Sequence, residues 1–179
     1  MSRLNVPTRD DVSPANQAHF DTLTKGLGMV PNLYATLAHS ENALGNYLAL
    51  QNAKSSITGK AREVVNLVVS QVNDCEYCLA AHTLIGKMNG FSEAQVLEVR
   101  SGTASFDPKL DALARLTKAI AVQRGKVESA LVDAFFAAGW TAENLVDTIV
   151  TIGDKTITNY LHAVTGVAVD FPAAPKLAA

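Results

Sequence analysis

Between Ala61 and Val72 the apolar residues Ala61, Val64, Val65, Val68, Val69 and Val72 recur at steps of three and four, and this run constrains the fold more than any other feature. Valine is stiff at χ1 and favours strands when taken alone. A half-buried strand would alternate with period two, however, so the spacing predicts a core helix. Leu67 is apolar but lies away from the main stripe, which hints at a second buried side covered by another subunit. Glu63 lies roughly opposite Ala61, Val65 and Val72, and the pattern alone turns it toward solvent.

Helix punctuation recurs along the chain. Ser13-Pro14 and Asp107-Pro108 each place a capping side chain before a proline at the first helical position. Ser92-Glu-Ala-Gln95 reads as a capping box just after Gly90, and Thr58 and Thr141 are further caps. Helices are predicted near 14–27, 32–39, 41–54, 93–101, 108–124, 126–138, 142–152 and 155–165. After the valine-rich helix, Asn73-Asp74 breaks the chain, with Asp74 as cap of a helix that runs to about Met88. Thr148 to Ile152 is the one stretch with strand character, and it sits inside a helical pattern. The segment from Phe171, with Pro172 and Pro175, is expected to be extended or frayed. The fold class is therefore all-α.

A chain of 179 residues that is 48% apolar supports one domain with its own core. With 15 basic and 17 acidic residues, a net charge of −2 and no basic block, nucleic acid is an unsuited partner. The N-terminus lacks the apolar stretch of a secretion signal, and polar residues interrupt every apolar run well short of roughly 18 residues. A cytoplasmic protein without a membrane partner is the expectation.

The only two cysteines fall in Cys75-Glu-Tyr-Cys78-Leu-Ala-Ala-His82, together with one of four histidines. On a helix these three side chains lie within about 60° of one another. Free thiols ionise near pH 8.5, so a reactive one needs something that stabilises the anion. The first turn of a helix offers unpaired N–H groups and a positive dipole end, and His82 offers a proton acceptor or a cation. Glu63 can orient His82 or pass its proton on if the second helix folds over that polar side, or if a neighbouring subunit covers it. Other uses of the residues stay open: a zinc site, which would want a fourth ligand beyond Cys75, Cys78 and His82, or two inert buried thiols. A thioredoxin-type site would follow a strand, whereas this motif follows a helix. His19, His39 and His162 stand apart from other candidate ligands, Trp140 reads as packing a helix start, and Tyr34, Tyr47 and Tyr160 read as helix packing positions.

Glu63, eleven residues, Cys75-x-x-Cys78, three residues and His82, joined by an apolar helix, resemble the active-site signature of alkyl hydroperoxidase D (AhpD)-like proteins of the carboxymuconolactone decarboxylase superfamily. The likeness is strongest over residues 41–100, extends to Gly28–Asn32, and in the C-terminal half rests on helical character. It implies an AhpD-like bundle of antiparallel helices, a single domain over 1–179 that assembles as a homotrimer or dimer of trimers. It implies a thiol-dependent peroxidase acting on small hydroperoxides, with no bound cofactor beyond a redox-active Cys75–Cys78 disulfide. A dithiol donor, lipoyl-type or thioredoxin-like, would reduce that disulfide. Carried over, Cys78 attacks the peroxide, Cys75 resolves the sulfenic acid, and Glu63 with His82 relays the proton. Tyr77 stands where some members carry a histidine. The decarboxylase branch lacks the cysteine pair, so its lactone chemistry is disfavoured. The competing function is a disulfide reductase or redox-sensing module that uses the same pair without physiological peroxide chemistry.

Overall fold

The computed structural model describes residues 2–177, and among these every regular element is helical. A 3-10 turn at Arg9–Asp11 precedes nine α-helices: α1 Pro14–Leu27, α2 Asn32–Leu37, α3 Ala43–Gln51, α4 Gly59–Val72, α5 Glu76–Met88, α6 Glu93–Ser101, α7 Pro108–Gln123, α8 Ser129–Ala137 and α9 Ala142–Thr165. The expected punctuation does most of the cutting. Ser13 caps α1, Asp107 accepts from the backbone N–H groups of Lys109 and Leu110, and Ser92 and Gln95 close both bonds of their capping box. Thr141 accepts from Asn144 at the head of α9, whereas the Thr58 side chain makes no capping bond to α4.

The chain divides into two compact units. One comprises the residues up to Lys54 with Tyr160–Asp170. Phe20, Leu23, Ala35, Ala38 and Leu44 form its core, and buried Asn16 ties α1 to the end of α2 by donating to the carbonyls of Ala38 and Ser40. The other comprises Ser55–Asn159 with the segment from Phe171. There α4 is the central helix, packed against α5, α6 and α7, with Val64, Val65, Leu67, Val68 and Val69 wholly buried. Helices α4 and α5 are joined by three residues and pack together, so they run antiparallel.

Two local expectations are corrected and a third is sharpened. Leu67 needs no second subunit, because it packs inside its own chain beside Gly86 of α5. The two helices expected near 142–152 and 155–165 are one helix, α9. A glycine in a helix interior costs about 1 kcal/mol relative to alanine, too little for Gly153 to end so long an element. The terminal segment is extended but held: Phe171 meets Tyr77 edge-on at 5.6 Å, and the Pro175 carbonyl accepts a 2.6 Å bond from buried Arg100.

Candidate active site

Helix α5 begins on its own cysteine. Asp74 adopts a left-handed φ of 50° and the Cys75 N–H closes on the Ser70 carbonyl at 2.9 Å, which turns the chain sharply out of α4. The N-cap is therefore Cys75, whose Sγ accepts the Cys78 N–H at 3.3 Å, and not Asp74 as the sequence suggested. Asp74 contributes the turn; the sulfur takes the orphan amide of the first helical turn.

All four residues singled out in the sequence come together inside the second unit. Cys75 and Cys78 are free thiols, 1% and 3% exposed. His82 Nδ1 lies 2.8 Å from Glu63 Oε2, and Asn66 donates to Glu63 Oε1 at 2.9 Å. The solvent-facing position that the α4 pattern gave Glu63 is overturned: the side chain is 5% exposed. Helix α4 is covered on every side, with α5 laid along the flank that a single-stripe helix would leave open, so Glu63 is buried among polar partners.

Burial alone pushes the Glu63 carboxyl up, but the charge and hydrogen bond of His82, the Asn66 amide and the charge of Lys155 outweigh it and hold the group below its ordinary range. An ionised Glu63 accepts, so His82 donates to it from Nδ1, and Nε2 is the ring nitrogen that Glu63 does not engage. The two thiols are driven apart. A hydrogen bond from the Cys75 thiol, followed by the charges of Lys155 and His82 and a bond from Asn159, carries Cys78 down to about 6 against the cost of its burial. The same bond to Cys78, with burial, pushes Cys75 well above the ordinary thiol range. Cys78 is thus the more acidic of the two thiols.

Lys155 and Asn159 were invisible in the sequence reading. They lie one turn apart on α9, 3% and 0% exposed, on a buried face that also carries Thr148, Thr151, Asp154 and Thr158. Asn73 donates to Asn159 Oδ1 at 2.9 Å and Asn159 Nδ2 reaches Ser70 Oγ at 3.3 Å, so the amide nitrogen is the end turned to the sulfurs. The signal was there in polar residues recurring at steps of three and four, but an amphipathic helix is ordinarily read with its polar side to water. Asp154 lies 3.5 Å from Arg62 of α4. Among the described residues no cluster of three or more His, Cys, Asp or Glu is arranged to hold a metal ion.

Fold and site together give an all-helical protein of AhpD-like fold with a buried cysteine pair. Residues 38–119 match the model of the carboxymuconolactone decarboxylase family, and the fold around them is AhpD-like. Several solved structures resemble nearly the whole chain. One is an uncharacterized peroxidase-related protein from Silicibacter sp. TM1040, with a TM-score of 0.84 and 21% identity, covering 99% of this chain and 96% of that one. Another, an alkylhydroperoxidase AhpD core protein from Ralstonia eutropha JMP134, gives a TM-score of 0.85 at 21% identity over 94% and 92%. The debrominase Bmp8 in its apo form shares the fold at a TM-score of 0.78 and 15% identity, over 95% and 93%. No curated protein matches by sequence. No helix among the described residues is long and apolar enough to cross a membrane.

Proposed function

We propose that the protein is a thiol peroxidase that reduces small hydroperoxides through a Cys75–Cys78 disulfide. The observation that carries this is the geometry: two free, buried thiols one helical turn apart, with Cys75 Sγ taking the Cys78 N–H, on the helix whose His82 is held by the buried Glu63. The Cys75 thiol and the charge of Lys155 draw the Cys78 thiol below its ordinary value. The Cys78 thiolate attacks one peroxide oxygen and the O–O bond breaks. The leaving alkoxide takes a proton through His82, which Glu63 holds by Nδ1, and departs as the alcohol. Cys78 is then a sulfenic acid. Cys75 sulfur attacks it, the S–S bond forms, and the hydroxyl leaves as water with the Cys75 proton. An external dithiol returns two electrons and two protons.

Burial of both sulfurs favours slender reactants. A small hydroperoxide and the arm of a lipoyl-type dithiol suit such a site better than a folded protein disulfide, which supports peroxidase over general disulfide reductase chemistry. We also propose that copies of the chain assemble, as a homotrimer or dimer of trimers, through the outward side of α9. There Val146, Ile149, Val150 and Ile157 stand roughly half exposed at helical spacing, an arrangement a lone surface helix rarely keeps.

Titrating the reduced protein with hydrogen peroxide or an organic hydroperoxide tests the assignment. One disulfide per chain is expected to form in a burst, and Cys78→Ser should abolish peroxide consumption. Consumption by Cys78→Ser at the wild-type rate would remove the nucleophile. A second-order rate with small disulfides far above that with peroxide would move the function to disulfide exchange.

A further inference from the structure

The buried side of α9 is an inversion. Val146, Ile149, Val150 and Ile157 are among its exposed residues, while Lys155, Asn159 and four neighbouring polar side chains are buried. Burying an ammonium group is costly unless anions surround it. The charged or titratable groups around the site are Arg62 and Glu63 on α4, Cys75, Cys78 and His82 on α5, and Asp154 on α9 itself. Arg62 lies against Asp154. Both oxygens of Glu63 are engaged, one by Asn66 and one by His82.

That leaves a charge problem whose solution is Lys155. A working site holds two anions, the Glu63 carboxylate and the Cys78 thiolate, within one buried space. His82 can balance only one of them, and only while it is protonated. Once it gives up that proton, it offsets neither anion. We propose that Lys155 is a positioning residue of the thiol site, supplying a standing positive charge that lets Glu63 and Cys78 be ionised together whatever the protonation state of His82. The inference rests on the reading of Cys78 as the attacking thiol. Lys155 is 3% exposed and lies between Asp154, which meets Arg62 of α4, and Asn159, which reaches Ser70 and Asn73 at the corner before Cys75. Its side chain is therefore buried against the same stretch of α4 and α5, and its charge favours the ionised form of both Glu63 and Cys78. Asn159, fixed by Asn73 and Ser70, adds a neutral donor on the same side.

The test is the pH profile of iodoacetamide alkylation at Cys78, read by mass spectrometry, with no need for turnover. Lys155→Met is expected to raise the midpoint by about one pH unit or more, as loss of a nearby opposite charge does. Lys155→Arg should restore it. An unchanged midpoint in a folded Lys155→Met protein overturns the proposal. Should that variant not fold, Glu63→Gln combined with His82→Asn and Cys75→Ala removes the ion pair and the thiol donor, and leaves Lys155 as the cation beside Cys78 that is not itself paired with Asp154. Its midpoint should stay below the ordinary thiol value of about 8.5; a midpoint at or above that value refutes the role. Peroxide oxidation is followed separately on the same samples. A depressed midpoint that depends on Lys155, in a protein peroxide does not oxidise, would sink the peroxidase reading and leave Lys155 in place.

Discussion

Replacing Cys75 with alanine separates the two thiols most directly. With Cys78 at about 6, some nine-tenths of it is thiolate at pH 7, against about 3% for an ordinary thiol near 8.5. The largest cause is the bond donated by the Cys75 thiol. Hydrogen bonds to charged acceptors contribute about 1.5–3 kcal/mol, and an S–H is a weak donor, so the lower end applies. At about 1.4 kcal/mol per pH unit, Cys75→Ala should carry the Cys78 midpoint up by about one unit. The thiolate fraction at pH 6 then falls from about one-half to about one-tenth, a roughly fivefold loss of alkylation rate that vanishes above about pH 9. Stopped alkylation at a series of pH values, with the modified peptide sequenced, reads this out. A midpoint at or below wild type would mean that Cys75 is not the donor. Wild-type alkylation falling first on Cys75 would reverse the roles.

Glu63→Gln should lower stability by about 1–3 kcal/mol at neutral pH, because the His82 N–H and the Asn66 amide lose a charged acceptor inside the protein. The folded carboxyl lies below its ordinary 4.5, so its stabilisation is complete above that pH and disappears as pH falls through the folded value. Urea midpoints across pH 3–7 should consequently converge for wild type and variant at the acid end, and a constant gap would contradict the linkage. Phe171→Ala removes the ring that meets Tyr77, one residue before Cys78, and should cost about 1–2 kcal/mol in chemical denaturation. An unchanged midpoint would show that the ring does not hold the terminal segment. Gly102 ends α6 at a φ of 89°, and a Cβ there would stand 2.3 Å from Lys118 Cδ. Gly102→Ala should therefore lose about 1–2 kcal/mol by thermal melting, and a neutral result would mean that Lys118 swings aside and the cap tolerates a side chain.

Where backbone chemistry is local, the sequence was legible. Ser13, Asp107 and the Ser92/Gln95 box cut their helices where expected, because a cap acts over three residues and owes nothing to the rest of the chain. The motif Cys75, Cys78 and His82 was legible for the same reason, since one helix turn brings it together. Glu63 was misplaced because periodicity names one buried stripe and cannot say that a helix is central, buried all round. Lys155 and Asn159 were lost for the converse reason. Their polarity argued for water, and only the tertiary placement of α9 turns them to the sulfurs. Tyr160 was read as a packing position and is 59% exposed.

The outward side of α9 gives the inversion a second consequence. If the polar side of the helix is committed to the thiols, the apolar side has no place in the chain's own core, and a second copy is the proposed cover. Ile149 is 52% exposed, so Ile149→Asp should leave the fold within about 0.5 kcal/mol of wild type, as surface substitutions do. In an assembly the same change would place a carboxylate among Val146, Val150 and their counterparts. Each copy would lose the roughly 1–1.5 kcal/mol that covering the remaining isoleucine surface supplies, and would carry the desolvation of a charge besides. Sedimentation at micromolar concentration should show wild type as a multiple of 19.0 kDa and Ile149→Asp as the single chain, with unchanged helicity. A wild type that sediments as one chain, or a variant that assembles equally well, would return this face to solvent and leave the polarity of α9 to be explained by the thiol site alone.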